Sequence, residues 1–286
     1  MSETPTTSRR PLRVIAVTSG KGGVGKTNLT VNLGIQFANQ GRKVLIIDGD
    51  IGLANVDILL DETPSHTLQD VLSGEYSVED VLVRSSLGVA CLPGTSGVSE
   101  LSQLSQEARR HLLDAMGDLD DFDTVLVDTP AGIGSNAQFF AGAAQEVFVV
   151  ATPEPTALAD AYAMIKVLSR RQGIDRIGLV LNQTRPEEAF PIFERMSILT
   201  TRFLSVVLEL VGSVPPDPHV PESVKLQQPV LVAYPTSPAA QAIKSLADDI
   251  LMRTPPANPS GRLQFFWRRL LDESGPEGVA QVSSQV

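Results

Sequence analysis

Eight consecutive residues, Gly20-Lys21-Gly22-Gly23-Val24-Gly25-Lys26-Thr27, fit the phosphate-binding pattern G-x-x-x-x-G-K-[ST]. Glycines at these positions let the backbone curl until its N–H groups converge on one anion. The anion then sits at the positive end of the helix that follows, which Asn28 opens. Lys26 is placed to neutralise β/γ-phosphate charge, and the Thr27 hydroxyl to ligate Mg²⁺. The chemistry expected is capture of a nucleoside triphosphate. A second lysine, Lys21, stands at the start of the loop. From there a side chain does not easily fold back onto phosphates held by its own loop.

The elements needed to hold such a loop are present. Val14-Ile15-Ala16-Val17 reads as a buried β-branched strand, and Asn28 to Asn39 as the helix after the loop. A second buried strand, Val44-Leu45-Ile46-Ile47, ends in Asp48-Gly49-Asp50. A third, Thr124-Val125-Leu126-Val127, ends in Asp128-Thr129-Pro130-Ala131-Gly132. Further strands are expected over Gly88–Pro93, Glu146–Ala151, Arg176–Leu181 and Val211–Val214. Helices are expected over Thr67–Val83 (broken at Gly74), Leu101–Met116, Ala157–Arg171, Glu187–Arg202 and Ala239–Leu251. Continuous apolar strands alternating with helices predict an α/β fold, a parallel sheet with helices on both faces. Ligands of such sheets lie at the carboxyl ends of the strands, where each aspartate above is expected.

Composition narrows the classes. At 286 residues and 42% hydrophobic, the chain can bury one large α/β core with tails. The expected division is a flexible tail over 1–13, one domain over 14–253, a Pro-rich linker over 254–261, an amphipathic helix over 262–272 and a disordered tail over 273–286. A net charge of −10 opposes nucleic acid, so no direct sequence-specific nucleic-acid binding is expected. Cys91 is the single cysteine, which excludes a disulfide framework and any C-x-x-C metal or iron–sulfur site. His66, His111 and His219 lack ligand spacing. The apolar stretch behind Arg9-Arg10 is only a short strand, and no run reaches membrane-spanning length, so the expected location is the cytoplasm.

The two-lysine loop resembles the deviant P-loop of the MinD/ParA ATPases. That resemblance implies ATP as substrate, Mg²⁺ as cofactor, and a dimer in which Lys21 reaches the partner's phosphates. It implies that Asp50 orients the attacking water, with Lys21 and Lys26 as the other catalytic groups. Mg²⁺ would be held by Thr27 and Asp128, the latter through water, with Asp48 nearby. Asp128, Pro130 and Gly132 look like a switch II segment that senses the γ-phosphate. Asn182, directly after a strand, matches a residue that reads adenine in the family; a turn or cap role is the alternative. Pro215 to Pro218, Asp217 included, resembles the segment lining the adenine.

Within the family the chain looks closer to the flagellar-number regulators FlhG and FleN than to division-site MinD. The carriers include Lys26-Thr27-Asn28, the run Gly52 to Leu60, Glu154-Pro155-Thr156 and the tail Ala257 to Phe266. Such relatives restrain a flagellar transcription activator and act on the SRP-type GTPase FlhF. Some carry an N-terminal Asp-Gln-Ala-type motif that stimulates that GTPase, and Met1 to Arg13 lacks it. A MinD-type division regulator and a ParA-type positioning ATPase are the alternatives. In the tail, Leu263, Phe266, Trp267, Leu270 and Leu271 share one helical arc, with Arg262, Arg268 and Arg269 opposite. Aromatics against arginines suit an anionic membrane surface. Docking on the body of the same chain is the other reading. The expected cycle runs between a cytoplasmic monomer and an ATP-bound, reversibly membrane-associated homodimer.

Overall fold

The computed structural model describes residues 10–50, 55–67, 70, 71, 73–94, 119 and 121–254. In chain order the elements are β1 (Arg13–Ser19), α1 (Lys26–Asn39), β2 (Val44–Asp48), α2 (Val56–Leu59), α3 (Val78–Val81), β3 (Val83–Arg84), β4 (Val89–Leu92) and β5 (Thr124–Ala131). They continue with α4 (Ser135–Ala143), β6 (Glu146–Ala151), α5 (Pro155–Gln172), β7 (Arg176–Asn182), α6 (Pro186–Leu204) and β8 (Val207–Val214). α7 (His219–Lys225), α8 (Val230–Ala233) and α9 (Pro238–Met252) complete the described chain. Among these helices none is long and apolar enough to cross a bilayer.

The eight strands form one sheet in the order β3-β4-β2-β5-β1-β6-β7-β8. β1, which leads into the phosphate-binding loop, is flanked by β5 and β6, both parallel to it. Alternation along each strand splits the core in two. Ile15 and Val17 face a layer containing Leu33, Phe37, Ile243 and Leu246 from α1 and α9. Val14 and Ala16 face Phe140, Met164, Leu168 and Ile192 from α4, α5 and α6. With both faces covered, β1, β2 and β4 are buried at every position, as a parallel sheet between helices demands.

Several expectations change. The sheet is not wholly parallel, because β3 pairs antiparallel with β4 through Val83↔Cys91 and Arg84↔Ala90. Thr67–Val83 is helical in part, at Asp70 and Val71 and again in α3. Gly74 breaks it with a turn at φ 79°, and Ser77 restarts it with a capping box to Asp80 that opens α3. α4 was not anticipated, nor were α7 and α8; each is short, and α4 is apolar nearly all round, so none shows a clear 3.6 period. β8 begins four residues before Val211. β5 runs on to Ala131, so Asp128 lies inside the strand rather than after it. Leu101–Met116, most of the 1–13 tail, and the segments 262–272 and 273–286 lie outside the described residues.

Arg13 belongs to β1 and not to the tail. Its guanidinium grips Glu146 with two bonds, Nε to Oε1 at 2.6 Å and Nη2 to Oε2 at 2.8 Å, and also donates to the Ile250 carbonyl. The two side chains are 6% and 11% exposed, so each charge depends on the other for solvation. Arg13→Met strands the Glu146 carboxylate, and breaking a buried pair on one side costs about 3–5 kcal/mol. A urea titration is expected to show that loss. A change under about 1 kcal/mol would mean that the pair behaves as a solvated surface bridge.

Candidate nucleotide-binding site

The loop between β1 and α1 takes the conformation that its glycines allow. Gly23 and Gly25 sit at φ 81° and 86°, and Gly25 is the N-cap of α1. A Cβ on Gly25 would lie 2.3 Å from Asn182 Nδ2, and one on Gly20 would lie 2.0 Å from the Asp160 carbonyl oxygen. The loop is therefore packed against the start of α5 on one side and the end of β7 on the other. No larger residue fits either place.

Lys26 is buried, and its Nζ sits 2.8 Å from Asp128 Oδ1. Thr27 Oγ1 donates to Asp128 Oδ2 at 2.7 Å, and Thr30 Oγ1 lies 3.1 Å from Oδ1. Lys21 goes elsewhere: half-exposed, it pairs with Glu154 Oε2 at 3.1 Å. The two lysines of the loop thus occupy different environments, one on a buried carboxylate and one at the surface. Gly132, at φ 87°, donates its N–H to the Ser19 carbonyl at 2.9 Å, which brings the Asp128-Pro130-Gly132 segment against the loop's base.

Asp48 stands opposite Asp128 in the β2–β5 register. Its Oδ1 accepts the Asp50 N–H at 3.0 Å, and its Oδ2 accepts those of Asn55 and Val56 at 3.0 and 3.2 Å. Expected near the metal, Asp48 is found anchoring the backbone on both sides of residues 51–54 and presenting Asp50. Burial, and then the Asp128 charge, push its carboxyl up to about 7 against the pull of those three N–H bonds. Asp50 is half-buried, and burial raises it too, with Lys26 pulling it down and Asp128 pushing it up.

A cavity of about 520 Å³ opens beside the loop, with Gly25, Asn28, Asn182, Gln183, Pro215 and Asp217 among its walls. That volume suits a nucleoside. Asn28 Oδ1 is buried there without a hydrogen-bond partner, an acceptor left for a ligand donor. A larger cavity of about 750 Å³, between Glu146, Arg176 and Arg253, holds none of the loop residues. It lies at the amino ends of β6 and β7, the wrong end for a ligand of this fold.

Two of the base-side residues also hold the protein's own backbone. Asn182 donates one N–H of Nδ2 to the Val24 carbonyl at 2.7 Å, so it buttresses the loop and keeps its second N–H and Oδ1 for a base. Asp217 lines the cavity, but its side chain is fully buried, with Oδ1 accepting from His219 N and Oδ2 from Ala239 N. Burial would raise it; the hydrogen bonds from Ala239 and His219 hold it at about 2. It clamps the proline segment to the start of α9. His219, assigned no role from sequence, lies 2.8 Å from it through Nδ1.

Mg²⁺ fits the donor set. Thr27 and Asp128 offer hard oxygens already adjacent. Among the described residues no group of three or more His, Cys, Asp or Glu could hold a metal ion. Mg²⁺ does not require one, since one or two protein oxygens plus substrate phosphates and water usually suffice.

Asn182→Ala is expected to weaken ATP and GTP alike by about tenfold, the effect of losing one loop-fixing hydrogen bond. Selective loss of ATP in a competition titration would instead assign Asn182 a base-reading role. The raised Asp48 carboxyl carries a signed pH dependence. The folded chain holds a proton that the unfolded chain, near its ordinary value of about 4, has released. This contribution is therefore full below about pH 4 and is lost as pH rises through about 7. In EDTA, unfolding free energy is expected to fall between pH 5 and 8 by on the order of 2 kcal/mol, and Asp48→Asn to flatten that slope. An unchanged slope would assign it to another group.

The family model described as ParA, the NUBPL iron-transfer P-loop NTPases, matches residues 11–251. The chain is 44% identical to the antiactivator FleN of Pseudomonas aeruginosa, over 92% of this chain and 95% of that one. It is 32% identical to the flagellum site-determining protein YlxH of Helicobacter pylori, over 92% and 91%. The structure of the septum site-determining protein MinD from Pyrococcus horikoshii, complexed with Mg-ADP, superposes with a TM-score of 0.65 at 29% identity, covering 84% of this chain and 96% of that one. With the family model matched over most of the chain and a relative 44% identical along nearly its whole length, the chain belongs to the ParA/MinD family of P-loop NTPases.

Proposed function

We propose that this protein is an ATP-dependent switch ATPase that regulates flagellar number or placement. It cycles between a monomer and an ATP-bound, membrane-associated homodimer, and restrains a flagellar transcription activator. The observation that carries the reading is the Lys26–Thr27–Asp128 constellation beneath a loop whose other lysine, Lys21, is free of it. The likeness to an antiactivator and to a flagellum site-determining protein supports the flagellar output. Iron transfer is a poor reading, since cluster chemistry needs several thiolates and the single cysteine, Cys91, is buried with its thiol pushed well up by burial.

In this mechanism the backbone N–H groups from Gly20 to Thr27 cradle the phosphates. Lys26 would leave Asp128 for the β/γ-phosphates, and the Thr27 hydroxyl and the Asp128 carboxylate would hold Mg²⁺. Mg²⁺, when bound, neutralises charge on the β- and γ-oxygens. Asp50 accepts a hydrogen bond from the attacking water and aligns it with the γ-phosphorus. Lys21 leaves Glu154 and crosses to the partner's phosphates; as an exposed pair, that bridge holds it by no more than about 1 kcal/mol. ADP and phosphate are the products, and loss of the γ-phosphate ends the dimer.

The membrane arm rests on Leu263, Phe266, Trp267, Leu270 and Leu271. One short amphipathic helix is a marginal anchor, whereas two on a dimer gain avidity of ~10²–10⁴. Trp267 is the only tryptophan, so its emission reports on that segment alone. With anionic liposomes, a blue shift is expected with ATP and not with ADP, and a persistent one for Asp50→Ala, which should hold ATP as a dimer by light scattering. Emission indifferent to both lipid and nucleotide would remove the membrane arm. A monomeric Asp50→Ala with ATP bound would remove the assigned role of Asp50.

A further inference from the structure

Three side chains from the first two turns of α1 end on one carboxylate. Lys26 Nζ and Thr30 Oγ1 lie 2.8 and 3.1 Å from Asp128 Oδ1, and Thr27 Oγ1 lies 2.7 Å from Oδ2. Asp128 is 1% exposed and Thr30 is fully buried, so water does not replace a lost partner there. In the reading above, Lys26 and Thr27 both leave for nucleotide and metal. Thr30 has no such second task.

We infer that Thr30 is a positioning residue that holds Asp128 in its metal-facing orientation once Lys26 and Thr27 have turned to the nucleotide. This rests on the nucleotide-binding reading of the loop. The hydroxyl carries one proton and has two acceptors in reach, the Lys26 carbonyl at 3.0 Å and Asp128 Oδ1 at 3.1 Å. The carbonyl already takes the helical N–H one turn on, whereas the carboxylate offers the stronger, charge-assisted bond. While Lys26 sits on Oδ1, the negative charge is compensated and the proton is shared. When Lys26 departs, Oδ1 is a buried anionic oxygen and the Thr30 proton is the donor beside it. The last torsion of an aspartate is broad and roughly two-fold, so without that donor the two oxygens are free to swing away from the metal. The alternative is a threonine that merely bonds back to the carbonyl four residues earlier, a local habit of helical threonines with no bearing on metal.

Thr30→Val removes the hydroxyl and keeps the shape, and Thr30→Ser keeps the hydroxyl and loses the methyl. The readout is direct Mn²⁺ uptake by the full chain with ADP, followed as loss of the free Mn²⁺ EPR signal, beside mant-ADP affinity in EDTA. Thr30→Val is expected to weaken Mn²⁺ binding by about 3- to 10-fold, the factor one hydrogen bond supplies, with mant-ADP affinity in EDTA unchanged. Thr30→Ser is expected to restore Mn²⁺ binding to within about twofold. Wild-type Mn²⁺ uptake by Thr30→Val, or a Thr30→Ser as weak as Thr30→Val, overturns the inference while leaving the nucleotide site standing. A wild-type chain that binds neither mant-ADP nor Mn²⁺ overturns the site itself and this inference with it. Thr30→Ala gives the same comparison should Thr30→Val fold poorly.

Discussion

A carboxylate with almost no access to water sits at the centre of this protein, on the strand beside the one that feeds the phosphate-binding loop. An isolated charge in such a place is very costly, and it persists only because partners are supplied. Lys26, Thr27 and Thr30 supply them, and all three come from the helix that the loop begins. Asp128 therefore ties the start of α1 to the middle of the sheet, and the loop is shaped around that tie. In the proposed function the same group holds a cation, so the contacts that stabilise the fold are those that ligand binding would rearrange.

The sheet explains why the rearrangement can be local. β1, β2 and β5 are buried along nearly their whole length, and their helices press from both sides. At one end the strands deliver Asp48, Asp128 and the loop to a common floor. At the other, Arg13 and Glu146 lock β1 to β6 with a buried bidentate pair. Side chains at the carboxyl end can exchange partners while the opposite end stays fixed. Asp48 illustrates the division of labour, because its oxygens hold the backbone on either side of residues 51–54 and so aim Asp50 without themselves being free.

Much of this was legible in sequence where one element carries the whole signal. Strands read from continuous apolar runs appear where expected, because a strand buried on both faces admits nothing else. The phosphate-binding loop was legible for the same reason, since its glycines, lysine and threonine act within eight adjacent positions. Short helices were not, for a four-residue turn such as α8 shows no periodicity. Edge strand β3, two residues long, is made by its partner β4 rather than by its own composition.

The chain by itself determined the fold class, the loop and the acidic residues that follow the strands, since each depends on local backbone geometry and short-range pattern. Tertiary structure alone decided which of those polar groups are free to act. Asp217 is taken by the start of α9 and Asp48 by its own loop, Asn182 spends one N–H on the Val24 carbonyl, and Lys21 is held only by an exposed pair with Glu154. Thr30 acquires its place only because β5 brings Asp128 to within a hydrogen bond of a helix ninety-eight residues away in sequence. A side chain's donors and acceptors are fixed by its type, but their partners are fixed by packing, and no spacing along the chain records that.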